Sequence, residues 1–114
     1  MTQRDLRAYL HDVAEACRMI ETFTAGKSFD DYTSDPMLRS AVERQFEIVG
    51  EALNQGMRTD SGLEKQISHA RRIVAFRNRL IHGYATVADE VVWGVVESYL
   101  PTLRSEIDQL LAKK

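Results

Sequence analysis

Apolar residues recur every three or four positions over long stretches of this 114-residue chain, and little interrupts them. Such spacing places apolar side chains along one face of an α-helix. The chain has only two prolines, Pro36 and Pro101, and six glycines. This scarcity of turn residues disfavours a fold with many β-strands. The sequence therefore predicts an all-α fold in a single domain, residues 1–114.

Two long helices are predicted in the N-terminal half of the chain. The first covers residues 2–24, and Gly26 follows it as a plausible stop. The polar residues 25–35 are predicted to form a loop. The second helix covers residues 36–55, with Gly56 just past its end.

The second helix begins with a good cap and has an unusually wide apolar surface. Asp35 and Pro36 supply a capping side chain and a first-turn proline. Its apolar arc covers roughly half the circumference, whereas a helix packed on one side needs only about 100°. The arc indicates either contact with a second subunit or a central position in the chain's own bundle. Its members are Met37, Leu38, Ala41, Val42, Phe46, Ile48, Val49, Ala52 and Leu53.

Two further helices are predicted in the C-terminal half. The third covers residues 63–82, with Gly83 as a natural C-cap, and the fourth begins near Thr86 and runs nearly to the end. Pro101 lies inside the fourth and predicts a kink. Trp93 is expected to be a core or interface anchor. Four amphipathic helices with short connections predict an antiparallel four-helix bundle.

Several features suggest where the chain works. Its only cysteine is Cys17, on an apolar helix face, so we expect a buried thiol and no intramolecular disulfide. Neither a signal peptide nor a membrane-spanning apolar run is found. No zinc site of ordinary spacing exists, and we expect no metal and no cofactor. These observations favour the cytoplasm.

The charge distribution is uneven. The formal net charge is −2 and the pI is about 5.9, which argues mildly against a nucleic-acid-binding protein. A local basic patch can still attract a polyanion, although it can equally be a solvated helix face. From Lys65 to Tyr84 every charged residue is basic, namely Lys65, Arg71, Arg72, Arg77 and Arg79.

The end of the third helix carries residues suited to phosphate chemistry. Arginine binds phosphate oxygens, and histidine can accept or donate a proton near neutral pH. Asn78 and His82 share a helix face, so Asn78 could orient the imidazole. Arg77 lies about 140° around the helix from His82, and only its length could bring the two together. Alternatively, Arg77 and His82 simply complement the negative end of the helix dipole.

The string Arg-Asn-x-x-x-His-x-Tyr, at Arg77, Asn78, His82 and Tyr84, resembles the signature of HEPN domains and, more narrowly, of HepT-type toxins. Residues 43–54 resemble the second helix of that family. The segment that ends in Val91-Val92-Trp93 resembles its third and fourth helices. The resemblance covers nearly the whole chain.

This resemblance implies a metal-independent ribonuclease that acts on RNA as a homodimer. In it, Arg77 would bind phosphate, His82 would transfer a proton and Asn78 would orient His82. The residues that would support the cleft are Glu47, Glu51 and Arg79. It also implies a partner, an MntA-like nucleotidyltransferase antitoxin that transfers AMP to Tyr84 and so blocks RNA binding.

Two other interpretations remain open on the sequence. The chain could be a non-catalytic module that binds a nucleotide or docks a nucleotidyltransferase, an alternative supported by the acidic pI. It could also be a purely structural dimer, for which changes at His82 and Tyr84 would affect only stability.

Overall fold

The computed structural model describes residues 5–82 and 87–113, and every regular element in these ranges is helical. The prediction of an all-α protein is therefore confirmed. The elements are α1 (Leu6–Thr24), α2 (Phe29–Ser34), α3 (Pro36–Thr59), α4 (Leu63–Gln66), α5 (Ala70–His82), α6 (Asp89–Gly94), a π-helical turn (Val95–Tyr99) and α7 (Leu100–Ala112).

The central element is α3. It packs against α1 on one side and α5 on another, while α7 packs against α1. The Asp35 side chain caps α3 by accepting from the backbone N–H groups of Met37 and Leu38, as predicted. The position between two helices of its own chain accounts for the wide apolar arc. The antiparallel four-helix topology stays a prediction. The buried apolar side chains of α3 are Leu38, Val42, Phe46, Val49, Ala52 and Leu53.

The predicted end of the second helix was wrong, because α3 continues through Gly56 to Thr59. A Cβ atom at Gly56 would lie 2.9 Å from Leu63 Cδ2 and 3.4 Å from Leu6 Cδ1. The glycine therefore makes room for neighbouring side chains and does not end the helix.

The predicted loop over residues 25–35 was also wrong in part, since it contains α2. Ser28 and Asp31 form a capping box: the Asp31 N–H donates to Ser28 Oγ at 3.1 Å, and the Ser28 N–H donates to Asp31 Oδ2 at 2.8 Å. Tyr32 is fully buried, with its ring centroid 5.4 Å from that of Trp93. Trp93 is therefore a core anchor, and the short helix covers it.

The third predicted helix is broken into α4 and α5 at residues 67–69. His69 has a positive φ of 58°, which does not continue a helix. Glu106 of α7 accepts from the Ser68 N–H at 3.0 Å and from Ser68 Oγ at 2.6 Å. The Tyr99 hydroxyl donates to the Ser68 carbonyl. These tertiary bonds hold the break in place.

The start of the fourth helix is seen only in part. Gly83 and Thr86, the predicted cap and start, lie outside the described residues, and α6 begins at Asp89. A π-helical turn precedes α7, whose first turn contains Pro101. Turns of this kind are frequent at functional sites. The kink near Pro101 stays a prediction.

Cys17 is completely buried, as expected, and burial raises the pKa of its thiol to about 12. It is a packing residue of α1. Within residues 5–82 and 87–113, no helix combines the length and the apolar character needed to cross a bilayer.

Candidate functional site at the contact between α3 and α5

The two helices touch most closely where Gly50 of α3 faces Arg77 of α5. A Cβ atom at Gly50 would lie 2.2 Å from Arg77 Cβ, 2.8 Å from Arg77 Cγ and 3.3 Å from the Ile73 carbonyl oxygen. Only glycine leaves room for the stem of this arginine. The sequence contained Gly50 within the family-like segment, but its function as a spacer was missed, because nothing local distinguishes it from a helix-weakening glycine.

The Arg77 guanidinium is held by two side chains. One Nη forms an ion pair with Glu51 Oε2, and the other donates to Asn78 Oδ1 at 2.6 Å. The other oxygen of Glu51 accepts from Gln55 Nε2 at 3.0 Å, which orients the carboxylate. The Arg77 side chain is 19% exposed, so the cation is positioned at the surface but is not free to move through solvent.

One atom of Arg77 remains without a partner. Its Nε is buried and forms no hydrogen bond with any described residue. Unsatisfied buried donors are rare and are found at functional positions more than elsewhere. This observation singles out Arg77 from the other arginines of α5.

Asn78 and His82 do not meet as the sequence suggested. The Asn78 carbonyl oxygen accepts from Arg77, and no hydrogen bond joins Asn78 to His82 in the described structure. The two arms of the guanidinium reach Glu51 and Asn78, so Arg77 does not extend around the helix to the imidazole. His82 is the last residue of α5 and is exposed. A single chain thus presents Arg77 and His82 separately.

Two of the predicted supporting residues share a groove of about 200 Å³ between α1, α3 and the end of α5. Glu47 and Glu51 line it, and Ile81 lies at its α5 side. Glu47 forms an ion pair with Arg44 at 3.1 Å. Arg79 is exposed and does not line this groove.

The basic patch of the sequence is partly neutralised. Arg71 is paired with Glu64 at 2.7 Å, and Arg77 is paired with Glu51. Arg72 and Arg79 form no ion pair with any residue that the structure describes. They are seven residues apart on α5, so they lie on the same side of the helix, about 10 Å apart along its axis.

Tyr84, the predicted modification target, lies outside the described residues. In the described ranges, no group of three or more histidine, cysteine, aspartate or glutamate side chains is arranged to hold a metal ion.

Known proteins resemble the chain over nearly its whole length. A family model described as "Ribonuclease HepT-like" matches residues 13–110. A protein of Thermococcus cleftensis named "Probable ribonuclease HepT" is 34% identical over 108 residues, which cover 95% of this chain and 97% of the relative. A protein of Methanocaldococcus jannaschii, named as a candidate RNase, is 29% identical over 111 residues, covering 97% of this chain and 91% of the relative.

A third relative extends the similarity to a bacterium. A candidate RNase of Caldanaerobacter subterraneus is 28% identical over 108 residues, covering 95% of this chain and 96% of the relative. No solved structure matches the chain significantly. The family match and the Thermococcus relative both extend across α1 to α7 and include the contact between Gly50 and Arg77. The chain belongs to the HepT-like ribonuclease family.

Proposed function

We propose that this protein is a metal-independent endoribonuclease and the toxin of a toxin–antitoxin pair, and that residues 1–114 form one HEPN-like domain. The observation that carries the proposal is the arginine held beside the end of a helix whose last residue is an exposed histidine. Arg77 is oriented by Glu51 and Asn78, and His82 is accessible to a substrate. Family membership supplies the reaction class.

The proposed reaction is cleavage of RNA at its own 2′-hydroxyl. The His82 imidazole accepts the proton of the 2′-hydroxyl, whose oxygen then forms a bond to the adjacent phosphorus. The bond from phosphorus to the 5′-oxygen breaks, and that oxygen leaves as a hydroxyl after it receives a proton from an imidazolium. The products are a 2′,3′-cyclic phosphate and a 5′-hydroxyl. Arg77 stabilises the charge that develops on the phosphate oxygens.

A homodimer would bring the two groups together. Within one chain, Arg77 is turned toward α3, whereas His82 faces solvent. Two copies that meet at the ends of α5 would share one cleft with both residues from each copy. Apolar side chains near this end support such a contact, because Ile81 is 44% exposed and Val91 is 39% exposed.

Control of the activity would follow from modification of Tyr84. An MntA-like nucleotidyltransferase would transfer AMP from ATP to the phenol oxygen and release pyrophosphate. The new phosphate would bring negative charge and bulk close to His82, two residues away, and would compete with RNA for Arg77. A protein with this function would act in the cytoplasm, where RNA and ATP are found.

The test uses protein purified without a partner and checked by intact mass for the absence of AMP. It is incubated with tRNA and mRNA in EDTA beside His82→Ala and Arg77→Ala. We expect cleavage by the parent and none by either variant, with circular dichroism unchanged. Matched controls are His11→Ala and Arg58→Ala, which remove an exposed histidine and an exposed arginine elsewhere. Cleavage by His82→Ala at the parental rate would rule out the assignment.

A second candidate function is a non-catalytic module that binds a nucleotide or docks a nucleotidyltransferase. It is favoured by the net charge of −2 and by Glu51, which already occupies one arm of Arg77. This alternative predicts that unmodified protein binds AMP or ATP and leaves RNA intact in the same assay.

A further inference from the structure

A second cavity, of about 330 Å³, lies on α5 away from the Glu51 groove. It opens between the start of α5 and the π-helical turn. Ile73, Phe76 and Val95 form an apolar floor, and the first two are buried. The rings of His69 and Tyr99 form its sides, with centroids 6.1 Å apart and planes inclined by 62°. The cavity is a slot with apolar and aromatic walls.

The charge around this cavity favours an anionic ligand. Its two remaining lining residues are Arg72 and Ser98, both exposed, and no carboxylate lines it. By contrast, the Glu51 groove contains three carboxylates, and the cavity beside Trp93 contains two. Arg72 forms no ion pair with a described residue, so its guanidinium is available to a phosphate.

The walls of the cavity are held in place before any ligand binds. The Tyr99 hydroxyl donates to the Ser68 carbonyl, and Glu106 accepts two hydrogen bonds from Ser68. The positive φ of His69 turns the chain so that its ring faces Tyr99. A preorganised slot of this kind loses little entropy when a flat ring enters.

The cavity and His82 are connected by a line of cations. Arg79 lies on the same side of α5 as Arg72, about 10 Å farther along the axis, and His82 is one turn beyond Arg79. Neither arginine forms an ion pair with a described residue. An extended strand with one end in the cavity would pass both arginines before it reaches His82, a path that a few nucleotides can span.

We infer that this cavity is a nucleobase-binding subsite for single-stranded RNA, a few nucleotides from the phosphate that is cleaved. The inference rests on the proposed ribonuclease function. A base would stack in the slot between His69 and Tyr99, as bases stack on aromatic side chains in other single-strand-binding proteins. Arg72 would bind the adjoining phosphate, and the Ser98 hydroxyl would face the edge of the base. The subsite would select unpaired RNA.

The experiment measures binding in the His82→Ala background, so that the RNA stays intact. Ser98→Trp would fill the slot, and Ser105→Trp is its matched control, an exposed serine two turns later that does not line this cavity. Arg72→Gln is paired with Arg58→Gln in the same way. The probe is a fluorescent single-stranded oligoribonucleotide of mixed sequence, followed by anisotropy.

We expect Ser98→Trp and Arg72→Gln each to weaken binding about tenfold, the usual contribution of one stacked base, and both controls to bind like the parent. An oligonucleotide with one abasic position should bind the parent more weakly and Ser98→Trp no more weakly than intact RNA does. Equal affinities of Ser98→Trp and Ser105→Trp would overturn the subsite, as would a complete absence of RNA binding.

Two further measurements separate this inference from its neighbours. If unmodified parent protein fails to cleave RNA but Ser98→Trp still weakens binding, the subsite stands and the ribonuclease function fails. If the parent cleaves RNA and Ser98→Trp cleaves it at the same sites and rates, the ribonuclease function stands and the subsite fails. Sedimentation shows whether Ser98→Trp changes only the oligomeric state, a result that would make the cavity a contact between copies and overturn the inference.

Discussion

Gly50 of α3 and Arg77 of α5 approach so closely that a Cβ atom on the glycine would lie 2.2 Å from Cβ of the arginine. Real Cβ atoms do not come this near, so a larger residue would force the helices apart. The contact places the arginine stem against α3, and Glu51, the next residue of α3, binds its guanidinium. The position of the proposed phosphate-binding group therefore depends on a hydrogen atom at residue 50.

Gly50→Ala tests this dependence directly. The added methyl group should push α5 away from α3 and cost about 1–3 kcal/mol, as overpacking usually does. Because Arg77 would move with α5, RNA cleavage should fall by at least about tenfold. Urea unfolding and the cleavage assay measure the two effects. Gly94→Ala is the matched control, since nothing lies within 4 Å of a Cβ there and alanine should gain about 0.5–1 kcal/mol. A Gly50→Ala protein with parental stability and activity would contradict the packing argument.

Glu51→Gln tests whether the carboxylate positions Arg77. The substitution keeps the shape but removes the charge partner of a cation that is only 19% exposed. Glu51 itself is 45% exposed, so we expect a stability loss of no more than about 1 kcal/mol. Cleavage should fall more than stability does, because the guanidinium loses its orientation. Glu47→Gln, one turn earlier and paired with the exposed Arg44, should leave cleavage close to the parental rate. Faster cleavage by Glu51→Gln would show instead that this carboxylate competes with phosphate.

Glu43 should make stability depend on pH in an unusual direction. Burial, followed by the nearby charges of Asp89 and Glu47, raises the pKa of its carboxyl. The folded state therefore holds this proton more tightly than the unfolded state. The contribution to stability is present below the unfolded pKa and is lost as the pH rises through the raised folded pKa. Glu43→Gln should raise the unfolding midpoint at neutral pH and have no effect below about pH 4.

Glu15→Gln provides a contrast of opposite sign. The exposed Glu15 has a lowered pKa because Arg18 donates a hydrogen bond to it. Its contribution is present above the unfolded pKa and lost as the pH falls through the folded pKa. This substitution should therefore give no increase in the midpoint at neutral pH. An equal increase in both variants would show that general charge reduction, and not burial of Glu43, is responsible.

Cys17 should be unreactive until the protein unfolds. Its thiol is completely buried and its pKa is raised to about 12, so almost no thiolate forms at pH 8. Labelling with a thiol-specific disulfide reagent should be negligible in native buffer and stoichiometric in denaturant. Cys17→Ser should cost about 1–3 kcal/mol, because a hydroxyl is harder to bury than a thiol. Rapid labelling of the native protein would contradict the buried position.

Much of the fold could be predicted from local pattern. The three- and four-residue spacing of apolar side chains correctly indicated α1, α3, α5 and the helical stretch that ends the chain, and Asp35 correctly marked the start of α3. The errors concern residues whose effect depends on distant neighbours. Gly56 was taken for a helix end although it makes room for Leu63 and Leu6. His69 breaks the third helix because Ser68 is bound by α7.

The sequence by itself determined which functional side chains exist and how far apart they lie on one helix. Five residues separate Arg77 from His82, and the geometry of any α-helix then turns them about 140° apart. Only the tertiary structure decided what each side chain binds. Asn78 receives a hydrogen bond from Arg77 and none from His82, and Glu51 is the partner of Arg77 because Gly50 lets α3 and α5 touch there. Helical spacing is a local property of the backbone, whereas hydrogen bonds and ion pairs between helices depend on which surfaces pack together.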